Sequence, residues 1–337
     1  MTTVGHRDLY PINVFSSIAS SNQQSEVVQS GFAPSKKYAR CGSTMKPRII
    51  VTGAAGLIGR YCVKSASRWA PDWDVRGLGR ADLDLTDHAA VERTWRLLKP
   101  NAVIHCAALS RTKDCEQHPN LARRINVEAT AYLARLSKDI PFIFLSSGEV
   151  FDGRAGWYHE TDEPKPINFY GKTKCEAEQL VLQNPRHTVV RIVLTAGTSQ
   201  NGDRSFVEDM CRAAKGGKSV TLYADEYRCP LPAGAIARAI WELVRKVESG
   251  LFHLGGHERL SRWEIGQALL PWYPELQDRL VKGCASDHTG APRPADLSLN
   301  CEKIQGRLSF PLPGFRSWLK DRVHRGVDLW DYESSLS

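Results

Sequence analysis

From residue 48 onward, short runs of β-branched and aliphatic residues alternate with longer stretches whose apolar positions recur every three or four residues. The short runs predict strands at 48–52, 74–78, 102–106, 141–146 and 188–194. The longer stretches predict helices between them, most clearly over 120–138 and 170–182. Strand and helix taking turns describes a parallel sheet covered on both faces. The expected fold class is therefore α/β, a Rossmann-type doubly wound parallel sheet. Beyond about residue 196, proline and glycine interrupt the pattern, and helices are expected near 205–215, 233–247 and 262–270. That half is expected to form a smaller carboxyl-terminal lobe, partly interleaved with the first, which gives units at 45–196 and 197–330. No internal repeat is present at solenoid periods.

Residues 1–44 break the pattern. They are rich in Ser, Gln and Asn without a sustained period and are expected to be a disordered extension, with Met45 as a candidate functional start. A transit peptide would be Ser-rich and acid-poor, yet the first twenty residues carry Arg7 as their one Lys or Arg, beside Asp8. An upstream extension is the plainer reading.

The length of 337 residues and the 42% hydrophobic content allow one large unit with an appended lobe. A net charge of +8 and a pI near 9.0 favour an anionic ligand. The basic residues are interleaved with acids, which argues against nucleic acid as a partner. Nine scattered cysteines without a CxxC pair read as reduced thiols of a cytoplasmic protein, and no metal is expected. No apolar run approaches the roughly 20 residues that cross a bilayer, so no membrane partner is expected.

Candidate chemistry begins at Gly53-Ala54-Ala55-Gly56-Leu57-Ile58-Gly59, glycines at GxxGxxG spacing between the first strand and a helix starting near Leu57. A pyrophosphate can rest on the amino end of such a helix. Gly53 allows the tight turn, Gly56 lets backbone approach phosphate, and Gly59 lets the helix pack against the sheet. The second strand ends at Gly79-Arg80, where a carboxylate would often hold the ribose 2′-hydroxyl of NAD. A guanidinium there pairs with a 2′-phosphate, so the cofactor is expected to be NADPH, with NADH as the alternative. Asp84 and Leu85 are placed beside the adenine, while Thr86 or Asp87 caps the next helix.

The chemical end follows about a hundred residues later. Ser146-Ser147 closes a predicted strand, at the sheet edge where open α/β folds bind ligands. Tyr170 and Lys174 are four apart on one helix face. Ser147 can hold a carbonyl, Tyr170 can supply a proton, and Lys174 can hold the nicotinamide ribose while stabilising tyrosinate. A free phenol titrates at about 10, so bringing it near 7 requires about 4 kcal/mol, expected from the ammonium and a cationic nicotinamide together. Three other motifs carry no chemistry. Gly171-Lys172-Thr173 lacks the upstream glycine of a P-loop, which would fall at Pro166. His253 and His257 are separated by Gly255-Gly256, against a helix that could present both to a metal. The nine tryptophans are spread along the chain and form no base-stacking platform.

Taken together, the residues over 48–325 resemble the extended short-chain dehydrogenase/reductase family, within it the dTDP-4-dehydrorhamnose reductase group. The resemblance lies in GAAGLIG at 53–59, DLDLTD at 82–87, HCAAL at 105–109, RRINVEAT at 123–130, SSGEVFDG at 146–153 and FYGKTKCEAE at 169–178. It continues in DEYRCPLPAGAIA, GLFHLGG and APRPADLSL. It implies catalytic roles for Ser147, Tyr170 and Lys174, and cofactor contacts for Gly53, Gly56, Leu57, Ile58, Gly59, Arg80, Asp84, Leu85, Ala107, Ala108 and Lys174. Asn126 is taken as structural. Gly148-Glu149 departs from the acid and aromatic that commonly follow the hydroxyl residue in that group. Arg228 and Arg293 are candidate contacts for a diphosphate or other anionic group of the substrate. The implied activity is NADPH-dependent reduction of a keto group on a nucleotide-activated sugar. The alternatives are an epimerase or dehydratase of the same family, or a non-catalytic regulatory subunit resembling the methionine adenosyltransferase β subunit. The oligomeric state stays open, a homodimer among the options.

Overall fold

Along the first strand Ile49 and Val51 face one side of a sheet and Ile50 the other, and all three are fully buried. A strand covered on both faces has no use for polar alternation, which is why it reads as a continuous apolar run. This is a computed structural model, and it describes residues 46–323 and residue 329; the expectations for residues 1–44 and for Met45 as a start lie outside the described residues.

The strands in chain order are β1 (Arg48–Thr52), β2 (Asp74–Leu78), β3 (Ala102–His105), β4 (Phe142–Ser147), β5 (Thr188–Ile192), β6 (Thr195–Ala196), β7 (Val220–Tyr223), β8 (Tyr227–Arg228), β9 (Leu231–Pro232), β10 (Gly250–Leu254), β11 (Leu260–Ser261) and β12 (Leu280–Gly283). Six of them make the central parallel sheet in the order β10-β5-β4-β3-β1-β2. The first five are the predicted strands, to within two residues. The sixth, β10, comes from the carboxyl half and pairs with β5 from Gly250–Thr188 to Leu254–Ile192.

One face is covered by α1 (Leu57–Lys64), which leads into the short α2 (Ala66–Trp69). The opposite face carries α3 (His88–Leu98), whose Val91 and Trp95 are buried with Ile50 and Val103. Asp87 caps α3, accepting from the Ala90 amide at 3.0 Å, as one of the two expected caps. Then come α4 (Thr112–Gln117), α5 (Pro119–Arg123), α6 (Ala129–Leu136) and α7 (Phe169–Leu182), and further on α8 (Phe206–Lys215), α9 (Ala233–Lys246) and α10 (Arg262–Leu269). The single helix expected over 120–138 is instead α5 and α6 joined by a π-helical turn, Arg124–Glu128. Asn126 explains the turn: its amide exchanges hydrogen bonds with Leu109 N and O and donates to Thr173 Oγ1 at 3.0 Å. Those bonds fix Asn126 against the end of β3 and against α7.

Helix α9 packs on α1 and is buried on more than one side, since Ala233, Ala235, Ala237 and Ala239, two apart along it, are all buried. Trp241 fills the remaining space, its indole donating to Cys62 O and Ser65 Oγ. A buried indole with both shape and hydrogen bond satisfied ties the carboxyl half to the first helix.

Candidate active site

The site grows from the place where the order of the strands reverses, between β1 and β3. β1 is paired with β2 on one side and β3 on the other, so the chain after β1 enters the crevice between two crossovers, at the carboxyl ends of the strands. Gly53 turns there with φ of +68°, and a Cβ at that position would lie 2.6 Å from Ala107 N. The turn is thus pressed against Cys106 and Ala107 at the end of β3. A Cβ on Gly59 would strike the Gly53 carbonyl, so α1 can start this close to the turn only without a side chain there. Gly56 is the N-cap of α1 and no side chain caps the helix. Leu57 and Ile58 are half-buried in its first turn. An open helix end behind a glycine turn is the cradle that a pyrophosphate fills, and these residues fit a nicotinamide dinucleotide.

Arg80 is exposed two residues beyond β2. Asp84 is exposed too, and its carboxylate accepts from Thr86 N and Oγ1 at 2.9 and 2.8 Å. Leu85 packs under this loop against the α3 side of the core, and Ala107 and Ala108 are half-buried where β3 ends.

The candidate catalytic residues gather on β4 and α7. Ser147 ends β4, and Tyr170 and Lys174 sit in the first turns of α7, capped by Asn168 Oδ1 on Gly171 N at 2.8 Å. The structure brings Ser147 and Tyr170 together. Burial pushes the Tyr170 phenol above its usual range, the Glu149 carboxylate adds to the rise, and a hydrogen bond from Ser147 opposes it. The lowering toward 7 is expected from the ammonium and a cationic nicotinamide together; the protein's own groups act the other way, because burial and a neighbouring anion both disfavour tyrosinate. Lys174 is fully buried, its ammonium donating to Leu145 O at 2.5 Å and lying 3.9 Å from the centre of the Phe144 ring. Burial lowers it to about 7, with Glu178 working the other way. Its charge also acts on buried His105.

Beneath the pair lies a buried polar network that sequence reasoning missed. Glu178, one turn beyond Lys174, takes Arg191 of β5 in a fork, Nε at 3.0 Å and Nη2 at 2.7 Å, and accepts a short hydrogen bond from Ser146. Arg191 reaches His253 of β10 at 3.3 Å. The spacing of four from Lys174 put Glu178 on the same helix face, and that was the available signal.

A second cluster centres on Glu226, which is buried. Arg293 grips it with Nε at 2.8 Å and Nη2 at 2.7 Å, Arg228 Nη2 lies at 3.0 Å, and Arg262 Nε at 3.9 Å. Burial alone would raise the Glu226 carboxyl, yet Arg293 and the charges of Arg228 and Arg262 hold it below its usual range. Arg228 is buried and also donates to Tyr227 O and Pro294 O, whereas Arg293 keeps 38% of its side chain exposed. Of the two candidate diphosphate contacts, Arg293 is the one that offers a free surface. The Glu149 charge reaches it, and Asn168 joins the two regions by donating to Glu149 at 2.7 Å and to Pro292 O at 3.2 Å.

A parallel Rossmann-type sheet with a glycine turn, a Ser147–Tyr170 contact and a lysine one turn on defines a protein of the extended short-chain dehydrogenase/reductase class. Within that class the chain belongs to the family described as the RmlD substrate binding domain, whose model matches residues 45–327. It is 30% identical over 302 residues to methionine adenosyltransferase 2 subunit beta of Danio rerio, covering 85% of this chain and 91% of that protein. It is also 30% identical over 283 residues to dTDP-4-dehydrorhamnose reductase of Sinorhizobium fredii, covering 80% of this chain and 94% of that one. Its fold matches dTDP-4-dehydrorhamnose reductase from Bacillus anthracis, solved in complex with NADP, with a TM-score of 0.73 and 23% identity over 81% of this chain and 97% of that one.

Proposed function

We propose that the protein is an NADPH-dependent reductase of a keto group on a nucleotide-activated sugar. The observation that carries this reading is the Ser147–Tyr170 contact at the carboxyl edge of β4, with Lys174 anchored one helical turn below. When bound, the reduced nicotinamide supplies hydride. Ser147 holds the substrate oxygen, Tyr170 protonates it, and the weakened acidity of the buried phenol keeps that proton in place at neutral pH until it is given up. Arg293 faces the diphosphate of the substrate, and Arg80 favours the 2′-phosphate of the cofactor. The test is loss of NADPH absorbance with a panel of nucleotide-linked 4-keto-6-deoxy sugars. Tyr170→Phe is expected to keep NADPH binding and to lower turnover by about 10²-fold or more. Turnover retained by that variant rejects the assigned acid, and exchange or dehydration without net NADPH loss points to the epimerase or dehydratase chemistry.

One observation favours a second reading, a dinucleotide-binding regulatory subunit. The likeness to the Danio rerio subunit supports it. On this reading the chain binds NADPH, reduces none of the panel, and co-elutes with a methionine adenosyltransferase.

A further inference from the structure

We propose that Arg124 is a specificity-determining residue: with Arg80 it forms a clamp of two guanidinium groups for the 2′-phosphate of the dinucleotide, built around the turn from Asp84 to Thr86. The inference rests on the dinucleotide reading above and adds a residue that neither the glycine motif nor the strand end points to. Its first support is position. The end of β2 lies against the glycine turn, since a Cβ on Gly79 would sit 3.3 Å from Ala55 Cβ. With pyrophosphate on α1, the adenosine ribose falls at that strand end. Arg80 stands there exposed and makes no side-chain hydrogen bond among the described residues.

Arg124 arrives from another direction. It is the first residue of the π-helical turn between α5 and α6, and its Nη2 donates to Thr86 Oγ1 at 3.4 Å. That long bond to a neutral hydroxyl uses one of five guanidinium donors, and the side chain is exposed. The π turn is not a loose segment, because Asn126 within it is tied to Leu109 and Thr173. Such turns concentrate at functional sites. Between the two arginines, Asp84 is turned inward onto Thr86, and its carboxyl is drawn below the usual range first by the Thr86 hydrogen bonds and then by the charges of Arg80 and Arg124. Both cations therefore act on one spot, the Asp84 carboxylate, while the neighbouring Asp82 carboxylate is held by the Gly79 amide at 2.8 Å. A phosphate dianion accepts from both forks, whereas a ribose hydroxyl carries no charge to answer them.

Titration calorimetry with NADP+ and NAD+ on the full chain tests the clamp without requiring turnover. For Arg124→Ala the NADP+ dissociation constant is expected to rise about tenfold, with that of NAD+ changed less than about twofold, and Arg124→Lys falls between. Arg80→Ala is expected to behave like Arg124→Ala. If Arg124→Ala weakens both dinucleotides alike, or leaves their ratio unchanged while Arg80→Ala alters it, this inference is overturned and the dinucleotide reading stands. If the unsubstituted chain binds both equally, the inference is likewise overturned. If it binds neither, the reading itself falls and the inference with it.

Discussion

Lys174 is anchored to Leu145: the ammonium donates to that carbonyl at 2.5 Å, which moors α7 to the strand carrying Ser147. The same anchoring makes the lysine costly to keep charged. Burial lowers it to about 7, against about 10.4 in an unfolded chain. Between those values the unfolded chain holds the extra proton, so this group makes stability rise with pH, and its penalty is complete below about 7. Lys174→Met should therefore raise Tm relative to the parent most at pH 6, by the equivalent of about 4 kcal/mol less the cost of the lost hydrogen bond, with the gain fading toward pH 10. Melting curves across that range check it, and a difference independent of pH contradicts the buried-ammonium account.

Glu149 bears on the same site from the opposite sign. Its carboxylate helps hold the Tyr170 phenol up. Glu149→Gln removes that charge and keeps an oxygen able to accept from Asn168. A reductase needs the phenol protonated, so activity falls as pH rises through its titration. The variant should move that alkaline limb to lower pH, read from kcat against pH, while an unmoved limb would separate Glu149 from the phenol.

The Glu178–Arg191 pair is a third case, with both side chains 3% exposed. Glu178→Ala leaves a buried guanidinium unpaired and should cost about 3–5 kcal/mol in urea unfolding. Replacing both, as Glu178→Leu with Arg191→Met, should recover most of that loss. Equal destabilisation by single and double variants would show that packing, not charge, carries the effect.

Gly59→Ala is the sharpest probe of the cofactor end, because the new methyl meets the Gly53 carbonyl, which is backbone and cannot swing aside. Helix α1 has to back away from the turn. NADPH binding, followed by fluorescence titration, should weaken by at least about tenfold while the far-ultraviolet spectrum stays native. Undiminished affinity would mean that the helix end takes no part.

Much of the frame was readable because its signals are local. Ile49, Ile50 and Val51 announce a strand buried on both sides, and Gly53 and Gly59 mark the two positions of the turn that admit no side chain. What stayed hidden depends on partners far along the chain. Nothing near Gly250 says that it pairs with Thr188, and nothing near Glu226 says that Arg293 will grip it. The spacing of Tyr170 and Lys174 gave one helix face but not the direction of the amine, which Leu145 O decides. The π turn escaped because its cause, the Asn126 amide meeting Leu109, is tertiary.

The late arrival of β10 has a consequence for how the chain is made. Until residue 254 has left the ribosome, β5 shows an unsatisfied edge of backbone amides and carbonyls, with apolar Val189 and Val190 behind it. Synthesis from β5 to that point takes several seconds at about 5–20 residues per second. Throughout that interval the nascent protein offers a template for stray strand pairing, and holdase chaperones have their clearest reason to attend it.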